Sequence, residues 1–427
     1  MASYSQAGAV AGMPAQARPG SLAVITVLFF MWGLLTSLND VLIPHLKSVY
    51  ALSYVQAMLV QFCFFGAYFL VSAPAGMLVR RVGYQRGMVT GLAVAAAGCA
   101  LFLPASRGGY SLFLIAFFVL ASGITILQVA ANPYVTILGD AASASSRLTL
   151  TQAFNALGTT VAPLAGGALI LSGAVLTVEQ LQALAPAALA DYQAEQAAAV
   201  QGPYLGLAGA LLALALFFAL VRLPRIDQPE AGPGGYAALL GERRLLLGAL
   251  AIFLYVGGEV AIGSFLINFM GEPGIAGMPS ADASPYVAYY WGGAMVGRFI
   301  GFAVMRRVSP GKALAFNSAC SLALILFAVL GSGRTAMWAI LAVGLCNSIM
   351  FPTIFSMALH QLGPKTGPGS GLLCMAIVGG AVLPFLQGAL ADRMGVQLSF
   401  LLPACCYLYL LYFGLRYAGM YRAQTLA

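Results

Sequence analysis

Charge is scarce in this chain. Only 7% of its 427 residues are Asp, Glu, Lys or Arg, while 61% are apolar. No soluble core could bury that much apolar surface, so the natural solvent is a bilayer. Histidine is scarcer still, with His45 and His360 alone, and no His/Cys cluster has the spacing of a metal site. No Gly-rich loop leads into a Lys-Ser/Thr pair, so the nucleotide-binding loop is missing too; "GMLVRRVG" and "GRFIGFAVM" read as helix-packing glycines. The seven cysteines all fall in apolar runs and read as small packing residues, not as a disulfide framework. There is no Asn-x-Ser/Thr sequon. Residues 1–20 lack the basic, then apolar, then cleavable order of a signal peptide. Alternating period-2 segments of a barrel are absent, as is any basic stripe interleaved with aromatics for nucleic acid. Catalysis, metal chemistry and ATP-driven work therefore have little to stand on.

What is abundant is membrane-length apolar sequence. Windows of about 20 residues, the length a helix needs to cross hydrocarbon, recur along the chain. They fall near 22–46, 54–79, 86–105, 110–138, 148–172, 203–223, 245–270, 285–305, 312–331, 335–361, 368–390 and 397–418. The expected fold class is an all-α membrane protein with 12 transmembrane helices. With both termini inside, fifteen of the 20 Lys and Arg residues lie on the inner side, among them Arg80, Arg81, Arg147, Arg243 and Arg306. Lys47, Arg107, Arg334 and Arg393 lie outside, and Arg298 lies within a span. Basic residues concentrate in cytoplasmic loops, so the net charge of +8 is a topology signal. The expected location is a bacterial inner membrane, with lipid as the surroundings and cytoplasmic termini.

The sequence also repeats. "LGTTVAPLAGGAL" (157–169) and "VGGAVLPFLQGAL" (378–390) align at an offset of 221 residues, pairing Gly158 with Gly379, Pro163 with Pro384 and Gly167 with Gly388. Gly66 and Gly292 each stand fourteen residues before an Arg-Arg-Val. The chain divides into a cytoplasmic tail (1–20), a six-helix half (21–223), a Pro/Gly-rich linker (224–244) and a second six-helix half (245–420). Two parallel six-helix repeats with substrate held between them near the midplane describe the major facilitator architecture.

Of 12 acidic residues, ten map to loops or helix ends. The exceptions, Asp40 and Glu259, lie in the first helix of each half, at corresponding depth. An ionisable group at that depth is costly and marks function by default. Arg298 is similarly stranded in helix eight. The structural alternatives are a neutralising ion pair between Arg298 and Glu259, and a hydrogen-bonded role for Asp40. Thr36 and Ser37 share the face of Asp40 at helical spacing. Gln61 follows in helix two, Gln128 and Asn132 in helix four ahead of Pro133, and Gln152 and Asn155 in helix five. The second half offers Asn268, Asn347 and Gln387.

Amides glue helices together in lipid, and that reading stands for any one of them. As a set they suit a sugar, whose hydroxyls each donate and accept, as an amide also does. Trp32, Tyr255 and Trp291 are the aromatic surfaces available to a sugar's C–H face. Lacking an ATP site, uphill transport would draw on an ion gradient, with an acid that loads and releases a proton as the minimal device and sodium as the alternative ion. A multidrug:proton antiporter of the same fold is the rival class.

The stretches "FFMWGLLTSLNDVLIPHLK", "LQVAANPYVTILG", "RLTLTQAFNALGTTVAPL" and "YVGGEVAIGSFLINF" resemble the fucose–galactose–glucose:proton symporter family, and most of all its glucose/galactose branch. The resemblance implies a monosaccharide importer coupled to protons, with N-acetylglucosamine or fucose as alternative substrates. It puts Asp40, in Leu-Asn-Asp with Asn39, on the family's helix-one carboxylate. Gln152 and Asn155 fall on helix-five amides, and Trp32 on a helix-one tryptophan. One departure stands out: the fucose permeases carry Glu where this chain has Gln128, and Gln where it has Glu259, which argues against fucose.

The expected substrate contacts are Trp32, Ser37, Asn39, Asp40, Gln61, Gln128, Asn132, Gln152, Asn155, Glu259 and Asn268. Asp40 and Glu259 are the expected coupling acids, and Arg298 is the candidate for a structural ion pair. No catalytic residue, metal, cofactor or nucleic-acid partner is expected, and the chain is expected to be monomeric.

Overall fold

The computed structural model describes residues 20–49, 54–108, 110–169, 184–185, 187–189, 191–192, 201–224, 226 and 236–420, and holds no strand among them. In hydrocarbon every backbone N–H and C=O must be satisfied within its own segment, so apolar runs become helices. The first half contains α1 (Ser21–Val49), α2 (Tyr54–Val82), α3 (Tyr84–Gly108), α4 (Tyr110–Ile137), α5 (Ala144–Leu169) and α6 (Gln201–Leu220). The second contains α7 (Arg243–Gly271), α8 (Val287–Val304), α9 (Pro310–Leu330), α10 (Gly333–Asn347), α11 (Met350–Leu359), α12 (Thr366–Met375), α13 (Gly379–Met394) and α14 (Leu401–Arg416).

Two spans of the second half are broken. The tenth crossing is α10 followed by α11, interrupted at Ser348 and Ile349. The eleventh is α12 followed by α13, joined by a 3-10 turn over Ala376–Val378. With those pairs counted as single spans, nine helical segments among the described residues are long and apolar enough to cross a membrane. The other three long helices are α1, α5 and α8. Their sequences hold Asp40, the Gln152/Asn155 pair and Arg298 respectively. Twelve crossings result, as the sequence predicts.

Packing follows the repeat. In the first half α1 lies on α5, and α4 lies against both α2 and α3. From Leu120 to Thr136, α4 is buried on every side, as expected of a helix apolar all round. The α1–α5 approach depends on glycine: a Cβ on Gly33 would stand 1.9 Å from Asn155 O, and one on Gly158 would stand 2.2 Å from Phe30 O. The second half repeats the device, since a Cβ on Gly379 would stand 2.0 Å from Phe253 O. Gly158 and Gly379 are the very glycines paired by the 221-residue offset, and they play one role in the two halves.

Phe30 and Phe253, as equivalent contacts, fix the relation of the two first helices at 223 residues. On that register Glu259 is the counterpart of Thr36, and Asp40 that of Gly263. The two acids therefore differ in depth by one helical turn, about 6 Å. Equal depth, the sequence expectation, is corrected by the glycine contacts.

Candidate functional site

The first half buries amides that have side-chain atoms without a hydrogen-bond partner among the described residues. Gln128 and Asn132 lie one turn apart on the same face of α4, 4% and 0% exposed. Gln128 Nε2 donates to Tyr68 Oη at 2.5 Å. Gln128 Oε1 and both side-chain polar atoms of Asn132 have no hydrogen-bond partner among the described residues, nor does Nε2 of Gln152 on α5. A buried amide left unpaired costs about 1–3 kcal/mol. Four such atoms stand on the neighbouring helices α4 and α5.

Other predicted contacts are already engaged. Ser37 Oγ donates to Thr159 O at 3.0 Å, and Asn155 Nδ2 donates to Phe29 O at 3.0 Å. Both bonds tie α1 to α5 beside the glycine contacts, so part of each side chain's capacity serves packing. Trp32 is buried, with its ring 5.2 Å from that of Phe29. The side chains of Asn39, Asp40 and Gln61 lie outside the described residues; the backbone places Asn39 and Asp40 on α1 and Gln61 on α2.

Across the molecule, Glu259 Oε1 and Arg298 Nε are buried and have no hydrogen-bond partner among the described residues. Arg298 is near enough to attract the Glu259 carboxylate, but the two form no contact ion pair. Among the described residues the pair within 4.0 Å is Lys365–Glu242, at 2.6 Å and partly exposed. The expected structural ion pair is thus corrected to a separated acid and base on α7 and α8, each with hydrogen-bonding capacity to spare. Asn268 is not brought to this place. It stands nine residues beyond Glu259, two and a half turns, which puts it on the opposite face of α7, where it is exposed. Trp291 is partly exposed beside Tyr290, and Tyr255 is buried with its hydroxyl donated to Asn347 O. A separate groove of about 420 Å³, lined by Val71, Pro74, Met77, Leu78 and Ile126 with Arg81 as its one charge, holds none of these residues.

Hydrogen bonds between the halves gather toward the end that bears Arg80, Arg81 and Arg147. Ser145 and Ser356 share a bond of 2.6 Å, Ser146 Oγ donates to Phe302 O at 2.8 Å, and Ser370 Oγ donates to Val129 O at 2.9 Å. Tyr236, at the end of the linker, donates to Ala73 O at 2.6 Å. Burial pushes its phenol up to about 12, so it remains a donor at neutral pH.

Tyr68 escaped the sequence reading because a tyrosine among so many apolar residues gives no local signal. Asn347 was visible as a mid-membrane amide, without a role.

Buried amides in one repeat and a buried acid and base in the other, each with atoms unpaired among the described residues of a multi-pass membrane chain, suit a solute transporter. Residues 24–377 match the Major Facilitator Superfamily model. The chain is 57% identical to a glucose/galactose transporter of Brucella abortus biovar 1 (strain 9-941), over 92% of this chain and 93% of that protein. It is 34% identical to the L-fucose-proton symporter of Escherichia coli (strain K12), over 94% and 93% respectively. A crystal structure of the transporter FucP in the outward conformation superposes with a TM-score of 0.87 at 33% identity, covering 92% of this chain and 98% of that one. The chain belongs to the major facilitator superfamily and, within it, to the fucose–galactose–glucose:proton symporter family.

Proposed function

We propose that this protein imports a hexose of the glucose/galactose type by proton symport with alternating access. The observation that carries the reading is the set of amide atoms on Gln128, Asn132 and Gln152 that are unpaired among the described residues. Sugar hydroxyls both donate and accept, and would satisfy these atoms together. Glu259 and Arg298 supply an acceptor and a donor from the opposite half. The relatives named glucose/galactose transporter and L-fucose-proton symporter support this substrate class and this ion.

In this reading Asp40 is the proton carrier and the coupling ion is the only accessory species, with no cofactor. The halves 21–223 and 245–420 rock about the site. The inter-half bonds at the arginine-rich end support a state closed there, and in this reading the positive-inside rule assigns that end to the cytoplasm. The protein works as a monomer in a bacterial inner membrane, with both termini in the cytoplasm. Uptake of labelled glucose, galactose, fucose and N-acetylglucosamine into proteoliposomes tests the whole reading. Glucose or galactose should accumulate under an imposed pH gradient. Accumulation driven by sodium alone would overturn the proton assignment, and drug efflux without sugar uptake would overturn the substrate class.

A further inference from the structure

The second half contains a directed run of hydrogen bonds that ends on Glu259. Asn347 is fully buried at the end of α10, and all its side-chain polar atoms and its carbonyl are engaged. Tyr407 Oη donates to its Oδ1 at 2.6 Å, its Nδ2 donates to Tyr290 Oη at 2.8 Å, and its main-chain O accepts from Tyr255 Oη at 3.0 Å. Tyr290 Oη then donates to Glu259 O at 3.2 Å. Four helices, α7, α8, α10 and α14, meet at one amide.

The direction of this run is fixed by proton count. A phenol has one proton, and that of Tyr290 goes to Glu259 O, so Tyr290 must accept from Asn347. The carboxamide of Asn347 can do both at once, its oxygen accepting from Tyr407 while its nitrogen donates to Tyr290. Close approach makes the contact possible: a Cβ on Gly344, one turn before Asn347, would stand 2.0 Å from Tyr290 O. The span breaks directly after Asn347, and Tyr255, one turn before Glu259, takes the carbonyl at the break. Both ends of the turn that carries Glu259 are thereby held from Asn347.

We propose that Asn347 and Tyr290 are positioning residues of the sugar site: they hold the turn of α7 that presents Glu259 and so set the affinity for sugar. The proposal rests on the reading of Glu259 as a sugar contact. Neither residue touches sugar; each acts through Glu259.

The test is counterflow of labelled D-glucose in proteoliposomes containing the full chain, with KM and maximal rate measured separately. Tyr290→Phe should raise KM about 10-fold with the maximal rate retained, the loss of one buried hydrogen bond. Asn347→Asp should do the same, because a carboxylate accepts from both phenols and releases Glu259 O. In a Glu259→Gln background, Tyr290→Phe should change KM by less than about twofold, since partners acting through one group are not additive. Tyr409→Phe removes a comparable bond, from Tyr409 Oη to Leu247 O at 3.0 Å, and controls for loss of packing. An equal KM rise with Tyr290→Phe in both backgrounds would overturn the positioning role. So would a fall in maximal rate and folded yield at constant KM, matching Tyr409→Phe. If Glu259→Gln alone leaves KM unchanged, the sugar-contact reading fails and the proposal falls with it. If Glu259→Gln raises KM but Tyr290→Phe does not, only the positioning role is lost.

Discussion

Ser370 of the second half donates to the carbonyl of Val129 in the first, at 2.9 Å, and Pro133 is the reason that carbonyl is free. Proline has no N–H, so the bond that residue 133 would return to residue 129 cannot form. A helix-four proline, which by sequence alone reads as a bend, supplies the acceptor on which the two halves dock. Ser370→Ala should leave Val129 O unpaired and destabilise this arrangement by about 1–3 kcal/mol. Paired spin labels on α2 and α12 should then report a larger separation at the arginine-rich end. An unchanged distance distribution would show that the bond does not hold the halves closed.

Asn132 is buried, and both its amide atoms are unpaired among the described residues. Replacement of an unsatisfied buried polar group by an apolar one of similar shape is neutral or stabilising. Asn132→Leu should therefore keep or raise the melting temperature of the sugar-free protein while abolishing the rise that glucose produces. A clear drop in the sugar-free melting temperature would mean that Asn132 is structural glue.

Asp40→Asn should abolish glucose accumulation against a gradient and leave glucose exchange running, because exchange needs no net proton release. Counterflow and pH-driven uptake in the same vesicles separate the two. Full uphill uptake by this variant would remove Asp40 from the coupling scheme.

Gly158→Ala and Gly379→Ala each place a methyl about 2 Å from a carbonyl oxygen of a facing helix. Overpacking of this kind costs about 1–3 kcal/mol. Both variants should lower the melting temperature, and to a similar extent, because the contacts are equivalent across the repeat. Loss in one half alone would argue that the two halves are not held by the same device.

Glu242→Gln removes the Lys365–Glu242 pair, whose side chains are 40% and 37% exposed. Exposed pairs contribute about 1 kcal/mol or less. Thermal stability should barely change, whereas Ser370→Ala should show a measurable loss, although it removes no charge.

The sequence determined the class of this protein on its own. Chemically, 61% apolar residues cannot be hidden from water by any soluble core. The repeat was legible because packed helices need small residues where backbones meet, and Gly158 and Gly379 preserve that need in the letters themselves. The amides Gln128, Asn132 and Gln152 were legible for a related reason: polar side chains inside membrane spans are costly enough to stand out.

Tertiary structure decided which of those groups are spare and which are spent. Ser37 and Asn155 turned out to join α1 to α5, Asn268 points away from Glu259, and Arg298 stands apart from the acid it was expected to neutralise. Sequence gives residue type and position along a helix. It does not give the rotation and depth at which two helices meet, and those follow from contacts such as Gly344 on Tyr290 that lie far apart in the chain. The hub at Asn347 is the clearest case. Four residues on four helices come together only in the folded protein, and no local pattern ties them to Glu259.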